Sequence, residues 1–181
     1  MVQITPNWYA ETPKNERKEW MDVADTVVAE EKKVYLGFKG MAEAVLDDNN
    51  RLSIPAKYRE NLGKTFVACC APGPYPCLYF FPTQNWDDLC TELNDKNSEV
   101  AHTPELEWMR RNLYKNSEDY TMDAKGRFTL LSSMCKYAGL KDEVIVIGNM
   151  KRLEIWDPDT YAAAEAASQP FNTGSIPDLN Y

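Results

Sequence analysis

Asp123-Ala124-Lys125-Gly126-Arg127-Phe128-Thr129-Leu130 repeats, with changes, an earlier stretch of the same chain: Asp47-Asp48-Asn49-Asn50-Arg51-Leu52-Ser53-Ile54. The two copies lie 76 residues apart. The register continues beyond them. Gly63 closes the segment after the first copy and Gly139 the segment after the second, and Leu78-Tyr79-Phe80-Phe81-Pro82 is echoed by Leu153-Glu154-Ile155-Trp156-Asp157-Pro158. A chain that repeats itself in this way builds one supersecondary unit twice. Each Asp-x-x-x-Arg loop is then a surface that the protein presents in duplicate.

Around the first loop, Val34–Phe38 and Ala42–Leu46 have the pattern of short strands, and Leu52-Ser53-Ile54 of another, so the loop is expected to join a hairpin. Asn50 stands where the second copy has Gly126, and asparagine is the commonest non-glycine residue at positive φ. Pro55 suits the first position of a helix that runs to Leu62 and stops at Gly63. Phe66–Cys70 and Leu78–Phe81 are further strands. A helix from Pro82–Thr83 carries Trp86, Leu89, Cys90 and Leu93 on one face, and Thr103-Pro104-Glu105 opens another with Leu106, Met109, Arg110 and Leu113 in register. The second copy gives the same order: strands at Tyr120–Asp123 and Arg127–Leu131, a helix over Ser132–Tyr137, strands at Val144–Gly148 and Leu153–Trp156, and a helix over Asp159–Ala167 capped by Asp157-Pro158. The helices are too few and too short for a βαβ sheet. A mixed α+β, mainly β fold follows, with two modules closing into a small barrel flanked by short helices and hiding each other's edges. The division is an extension over 1–37, modules over 38–102 and 103–166, and a tail over 167–181. Within the extension Trp20, Val23, Ala24, Val27 and Val28 have the spacing of an amphipathic helix.

Composition narrows the function. With 181 residues and 44% hydrophobic content, the chain suits one domain or two small fused modules. The first twenty residues are polar and no stretch resembles a membrane span, which points to the cytoplasm. The five cysteines Cys69, Cys70, Cys77, Cys90 and Cys135 form no C-x-x-C pair, and His102 is the single histidine. No metal site and no cofactor are expected, and the thiols are expected to be reduced and buried. An enzyme is not expected either: a cysteine nucleophile lacks a base nearby in sequence, and no phosphate-binding glycine loop is present. The net charge of −8 runs against the basic stripe of a typical nucleic-acid binder.

The residues from Phe38 to about Ala164 resemble the MraZ family of bacterial proteins. Phe38-x-Gly40 with Leu46-Asp47 is similar to that family's opening. Arg51-Leu52-Ser53-Ile54-Pro55-Ala56-Lys57-Tyr58-Arg59 is similar to the stretch after its first turn, and Asp123-Ala124-Lys125-Gly126-Arg127 to the turn itself. Tyr137-Ala138-Gly139-Leu140, Val144–Gly148 and Glu154-Ile155-Trp156 resemble the end of its second module. The resemblance implies an AbrB-like DNA-binding barrel built twice in one chain. It also implies a transcriptional regulator that forms a homo-oligomeric ring, octamer-like or larger, on direct repeats of double-stranded DNA in the promoter of the division and cell-wall cluster. Association with the nucleoid follows from that. Two departures stand out: Asn49-Asn50 replaces the family's basic residue and glycine, and Leu130-Leu131 replaces its Ile-Pro.

On this reading Arg51 and Arg127 are the first candidates for DNA contact, because a guanidinium fork can be bidentate to phosphate or to guanine O6 and N7. Lys125 adds charge in the second copy, and Asn49 replaces it in the first. Asp47, Asp123, Asn50 and Gly126 organise the loops, the aspartates by accepting backbone N–H groups or holding the arginine. Spacing alone is equally compatible with an intramolecular Asp–Arg clasp. Lys57, Arg59 and Lys136 are secondary phosphate candidates, while Tyr58, Trp86, Trp108 and Trp156 are assigned to core or interface. The alternative is an oligomeric scaffold that keeps the fold without binding DNA.

Overall fold

The computed structural model describes residues 37–94 and 103–168, all within one compact unit, Leu36–Tyr181. The amphipathic stretch near Trp20, most of the Val34–Phe38 strand, His102 and the tail from residue 169 lie outside the described residues. Among the described residues eight strands and five helices follow in chain order. They are β1 (Met41–Val45), β2 (Arg51–Ser53), α1 (Ala56–Leu62), β3 (Thr65–Cys70), β4 (Leu78–Pro82), α2 (Thr83–Asn94), α3 (Pro104–Lys115), β5 (Ser117–Thr121), β6 (Arg127–Thr129), α4 (Ser132–Ala138), β7 (Glu143–Asn149), β8 (Arg152–Trp156) and α5 (Pro158–Ala167).

The two copies interlace. A six-stranded antiparallel sheet runs β1-β7-β8-β4-β3-β5, and β2 pairs with β6 in a separate two-stranded ribbon. Exchanging each strand for its counterpart in the other copy turns the sheet order into itself. The register obeys the same exchange: Val45 faces Glu143 as Thr121 faces Thr65, and Leu78 faces Ile155 as Phe80 faces Leu153. A pseudo-two-fold axis therefore passes between β4 and β8, at the Tyr79–Glu154 pair.

This pairing corrects the hairpin expectation. β1 and β2 meet at a single bridge, Leu46 to Leu52, and each takes its ladder partner from the other copy. A three-residue arm is too short to form a stable hairpin alone, and the equivalent arm of the second copy completes it. Among the described residues the ladders trace a sheet with β1 and β5 at its ends and the ribbon set apart, without a ladder between the two end strands.

Sheet, ribbon, α1 and α4 share one core. Leu52, Ile54, Tyr58, Leu62, Phe66, Phe80, Phe128, Leu130, Val146 and Ile155 are all buried in it. Phe66 sits at its centre, with ring centroids 5.2 Å from Phe80, 5.7 Å from Tyr120 and 4.9 Å from Phe128. The contacts with Tyr120 and Phe128 join the two copies, and each aromatic contact adds about 0.5–1.5 kcal/mol beyond area burial. A second cluster joins Val67, Cys69 and Phe81 to Trp86 of α2 and Leu113 of α3, on the other sheet face. Thr103 caps α3 by accepting the Leu106 N–H at 3.2 Å, and Asp157 caps α5 by accepting that of Thr160 at 3.0 Å.

Candidate nucleic-acid interface

Both repeated loops are turns closed in the same way. The Asn50 N–H donates to the Asp47 carbonyl at 2.8 Å and the Gly126 N–H to the Asp123 carbonyl at 2.9 Å. Asn50 (φ 58°) and Gly126 (φ 75°) occupy the left-handed region, as their residue types allow. The aspartates organise each turn from within. Asp47 Oδ1 accepts the N–H groups of Asn49 (2.9 Å) and Arg51 (2.8 Å), and Asp123 Oδ1 accepts those of Lys125 (2.7 Å) and Arg127 (3.0 Å).

The ribbon brings the two turns together. The Ile54 N–H donates to the Gly126 carbonyl at 2.9 Å and the Leu130 N–H to the Asn50 carbonyl at 2.8 Å. Each turn is thus fastened to the arm of the other copy. Strand alternation buries Leu52 and Phe128 opposite each other and turns Arg51, Ser53, Arg127 and Thr129 to the other side of the ribbon. Arg51 pairs with Thr129 and Ser53 with Arg127, so the two arginines are diagonal neighbours, and both line one shallow depression with Asp123. Ser53 and Thr129 were missed as site residues. The alternation with Leu52 and Phe128 was a signal that could have found them.

The copies differ in how they hold the arginine. Asp123 Oδ2 accepts Arg127 Nε at 2.8 Å and pairs with Nη2 at 2.7 Å. The Arg127 side chain, followed by its backbone N–H, lowers the Asp123 pKa to about 2. Arg51 has no such clasp: its guanidinium makes no hydrogen bond or ion pair with a described residue, although its amide is held by Asp47. The side chains of Lys125 and Asn49 are exposed at the turn tips.

The supports differ as well. Behind the second turn, Arg59 of α1 donates from Nε to the Ile54 carbonyl at 2.7 Å and from Nη2 to Ser53 Oγ at 3.4 Å. A Cβ at Gly126 would collide with that guanidinium. Behind the first turn, Asn50 Nδ2 donates to Ser132 Oγ at 3.0 Å. Lys57 donates to the Met41 carbonyl at 2.7 Å, while Lys136 is exposed. Nothing in the sequence marked Arg59 and Ser132 as supports of these turns. Tyr58 and Trp86 are buried and Trp156 half-buried, but Trp108 is 60% exposed. All five cysteines are unpaired thiols. Burial pushes Cys69 up to about 12 and raises Cys70, Cys77 and Cys135. Among the described residues no cluster of ligands could hold a metal ion, and no helix is long and apolar enough to cross a membrane.

Fold and site together define a duplicated α+β protein whose copies jointly present a ribbon with two arginine-bearing turns. Comparison with known proteins places it further. A family model described as "MraZ protein, putative antitoxin-like" matches residues 38–106 and 113–175. A Nitrosomonas europaea protein named transcriptional regulator MraZ is 30% identical over 145 residues, covering 77% of this chain and 94% of the relative. A protein of the same name from Burkholderia vietnamiensis is 32% identical over 137 residues, covering 72% and 89% respectively. The chain belongs to the MraZ family.

Proposed function

We propose that this chain is a sequence-specific transcriptional regulator. It would bind double-stranded DNA through the turns at Arg51 and Arg127 and act as a homo-oligomeric ring on direct repeats in the division and cell-wall promoter. Cytoplasmic, nucleoid-associated localisation belongs to this proposal. So does the AbrB-like barrel, which the common core beneath sheet and ribbon supports. The relatives' shared name supports regulation of transcription.

The observation that carries the DNA reading is the β2–β6 ribbon, with apolar Leu52 and Phe128 on one side and Arg51, Ser53, Arg127 and Thr129 on the other. The major groove admits a two-stranded ribbon, and arginine and hydroxyl side chains are suited to base edges and phosphates. The two turns together hold three cations, Arg51, Lys125 and Arg127, against three carboxylates, Asp47, Asp48 and Asp123. A site so nearly balanced binds weakly alone. A ring that repeats it gains avidity from effective concentration.

The test is a gel shift with DNA from upstream of the protein's own gene, across a salt series. Binding should fall steeply with salt. Arg51→Ala and Arg127→Ala should each weaken it by ~10-fold or more without changing the assembly mass. If both variants bind like the parent, the site is misassigned. The acidic Asp48 and the Asn49-Asn50 departure favour a second reading, a scaffold that has lost DNA binding. A stable oligomer with no shift even at low salt selects that one.

A further inference from the structure

The outer face of the sheet is covered unequally in the two copies. Strand register puts Met41, Glu43 and Val45 on the same face as Ile147, Ile145 and Glu143. Through β8 and β4 that face continues to Trp156, Glu154, Tyr79 and Phe81. At the first copy's end, α2 and α3 seal it, with Trp86 and Leu113 buried against Val67, Cys69 and Phe81. At the second copy's end, α5 runs beside β7 and buries none of its own residues. Val45 is left 66% exposed and Met41 57%. Beside them is an open groove of about 240 Å³, lined by Glu43, Val45, Glu143, Ile145 and Pro158 among others. That is below the size of an ordinary small-molecule site and closer to that of one large side chain.

The complementary surface is on α3. Leu113 anchors that helix on its own sheet. Trp108, Arg111 and Lys115, spaced i, i+3 and i+7, form an exposed stripe elsewhere on it. Trp108 is 60% exposed, with Lys115 Nζ 5.9 Å from its ring centre. Cationic and aromatic side chains therefore face solvent at one end of the sheet, and a carboxylate-lined apolar groove opens at the other. Within one chain the two cannot meet, because α3 packs on β3 while the groove lies at β1 and β7, with β4 and β8 between.

We infer that the Trp108–Arg111–Lys115 stripe of one copy seats in the Glu43–Glu143 groove of the next. The contact is heterologous, so every copy keeps a free stripe and a free groove until a ring closes. The pseudo-two-fold axis supports a helix as the occupant, since a helix already covers the equivalent place in the first copy. This inference rests on the homo-oligomer part of the proposed function and names the surfaces that build it.

Sedimentation velocity of the full chain tests it with two reversed variants, Arg111→Glu/Lys115→Glu and Glu43→Lys/Glu143→Lys. All four positions are exposed, so circular dichroism should show the parent fold in both. Each variant alone should sediment as a monomer where the parent is assembled, and an equimolar mixture should recover the parent mass. Variants that keep the parent mass, or a mixture that stays monomeric, overturn the interface and leave the ring standing. A parent that is monomeric at every concentration overturns both. Variants that lose DNA affinity at unchanged mass assign the stripe to DNA instead and overturn the inference.

Discussion

Asp123 holds Arg127 at three points: its Oδ2 meets Nε at 2.8 Å and Nη2 at 2.7 Å, and its Oδ1 accepts the Arg127 amide at 3.0 Å. Asp47 holds only the backbone of Arg51. One repeated motif thus provides a positioned arginine and an unclasped one.

The clasp fixes a pH dependence. The Asp123 pKa falls from 3.8 to about 2 on folding, chiefly through the Arg127 side chain. A carboxyl depressed in this way contributes stability that is fully present above its unfolded value and is lost as pH falls through the folded one. The second turn should therefore stay ordered at pH 4 and loosen as pH drops toward 2. Carbon-detected NMR of the Asp123 carboxyl, followed with Arg127 Nε, should give a shared midpoint near pH 2. A midpoint at 3.8 would show that the clasp is absent in solution.

The unequal charge of the turns leads to a second expectation. Turn one carries Asp47 and Asp48 against Arg51, while turn two carries Asp123 against Lys125 and Arg127. Converting Asp48-Asn49 to Ala-Lys makes the first turn resemble the second. That removes one like-charge repulsion with phosphate and adds one cation, so promoter affinity should rise and the salt slope should steepen by about one counterion. Fluorescence anisotropy across a salt series reads both. An unchanged slope would mean that the first turn does not approach the DNA.

Legibility in the sequence was uneven for physical reasons. Alternation and turn residues located most of the strands and helices within the described residues, since Gly63, Gly139, Thr103-Pro104 and Asp157-Pro158 punctuate the chain by local chemistry. The strand expected at Tyr120–Asp123 lies instead at Ser117–Thr121, because Asp123 closes the turn that follows. Partner choice is not local. Arg51–Ser53 carries the pattern of a strand but nothing that says it will pair with Arg127–Thr129 rather than fold back. The loop aspartates were legible because an Asx side chain acts on its own turn. Arg59 under Gly126 was not, because that contact exists only once the copies interlace.

Gly126 and Asn50 occupy equivalent turns with unequal tolerance. Gly126→Ala meets two penalties, positive φ and the Arg59 guanidinium. It should cost about 1–2 kcal/mol, or more if Arg59 cannot withdraw. Asn50→Gly keeps an allowed backbone and loses the 3.0 Å bond to Ser132, with a net cost of about 1 kcal/mol. Urea melts of the two variants rank them. Equal losses would mean that Arg59 does not sit against the second turn in solution.

Interlacing also decides what half of this chain can do. Cut between the copies, residues 38–102 keep the β3–β4 ladder but lose β7 from β1, β6 from β2, β8 from β4 and β5 from β3. Phe66 keeps Phe80 and loses Tyr120 and Phe128. A lone half therefore leaves most of its strand edges and much of its core open to water, and a two-stranded remnant is marginal by itself. The pseudo-two-fold axis offers one escape, in which a second half replaces the missing copy. Residues 38–102 should accordingly be unfolded at low concentration and gain strand signal only as a dimer or on mixing with residues 103–168. Dilution series by circular dichroism and sedimentation check this. A half that is folded and monomeric at micromolar concentration would show that the copies are separable domains and that their exchange of strands is not what holds the fold together.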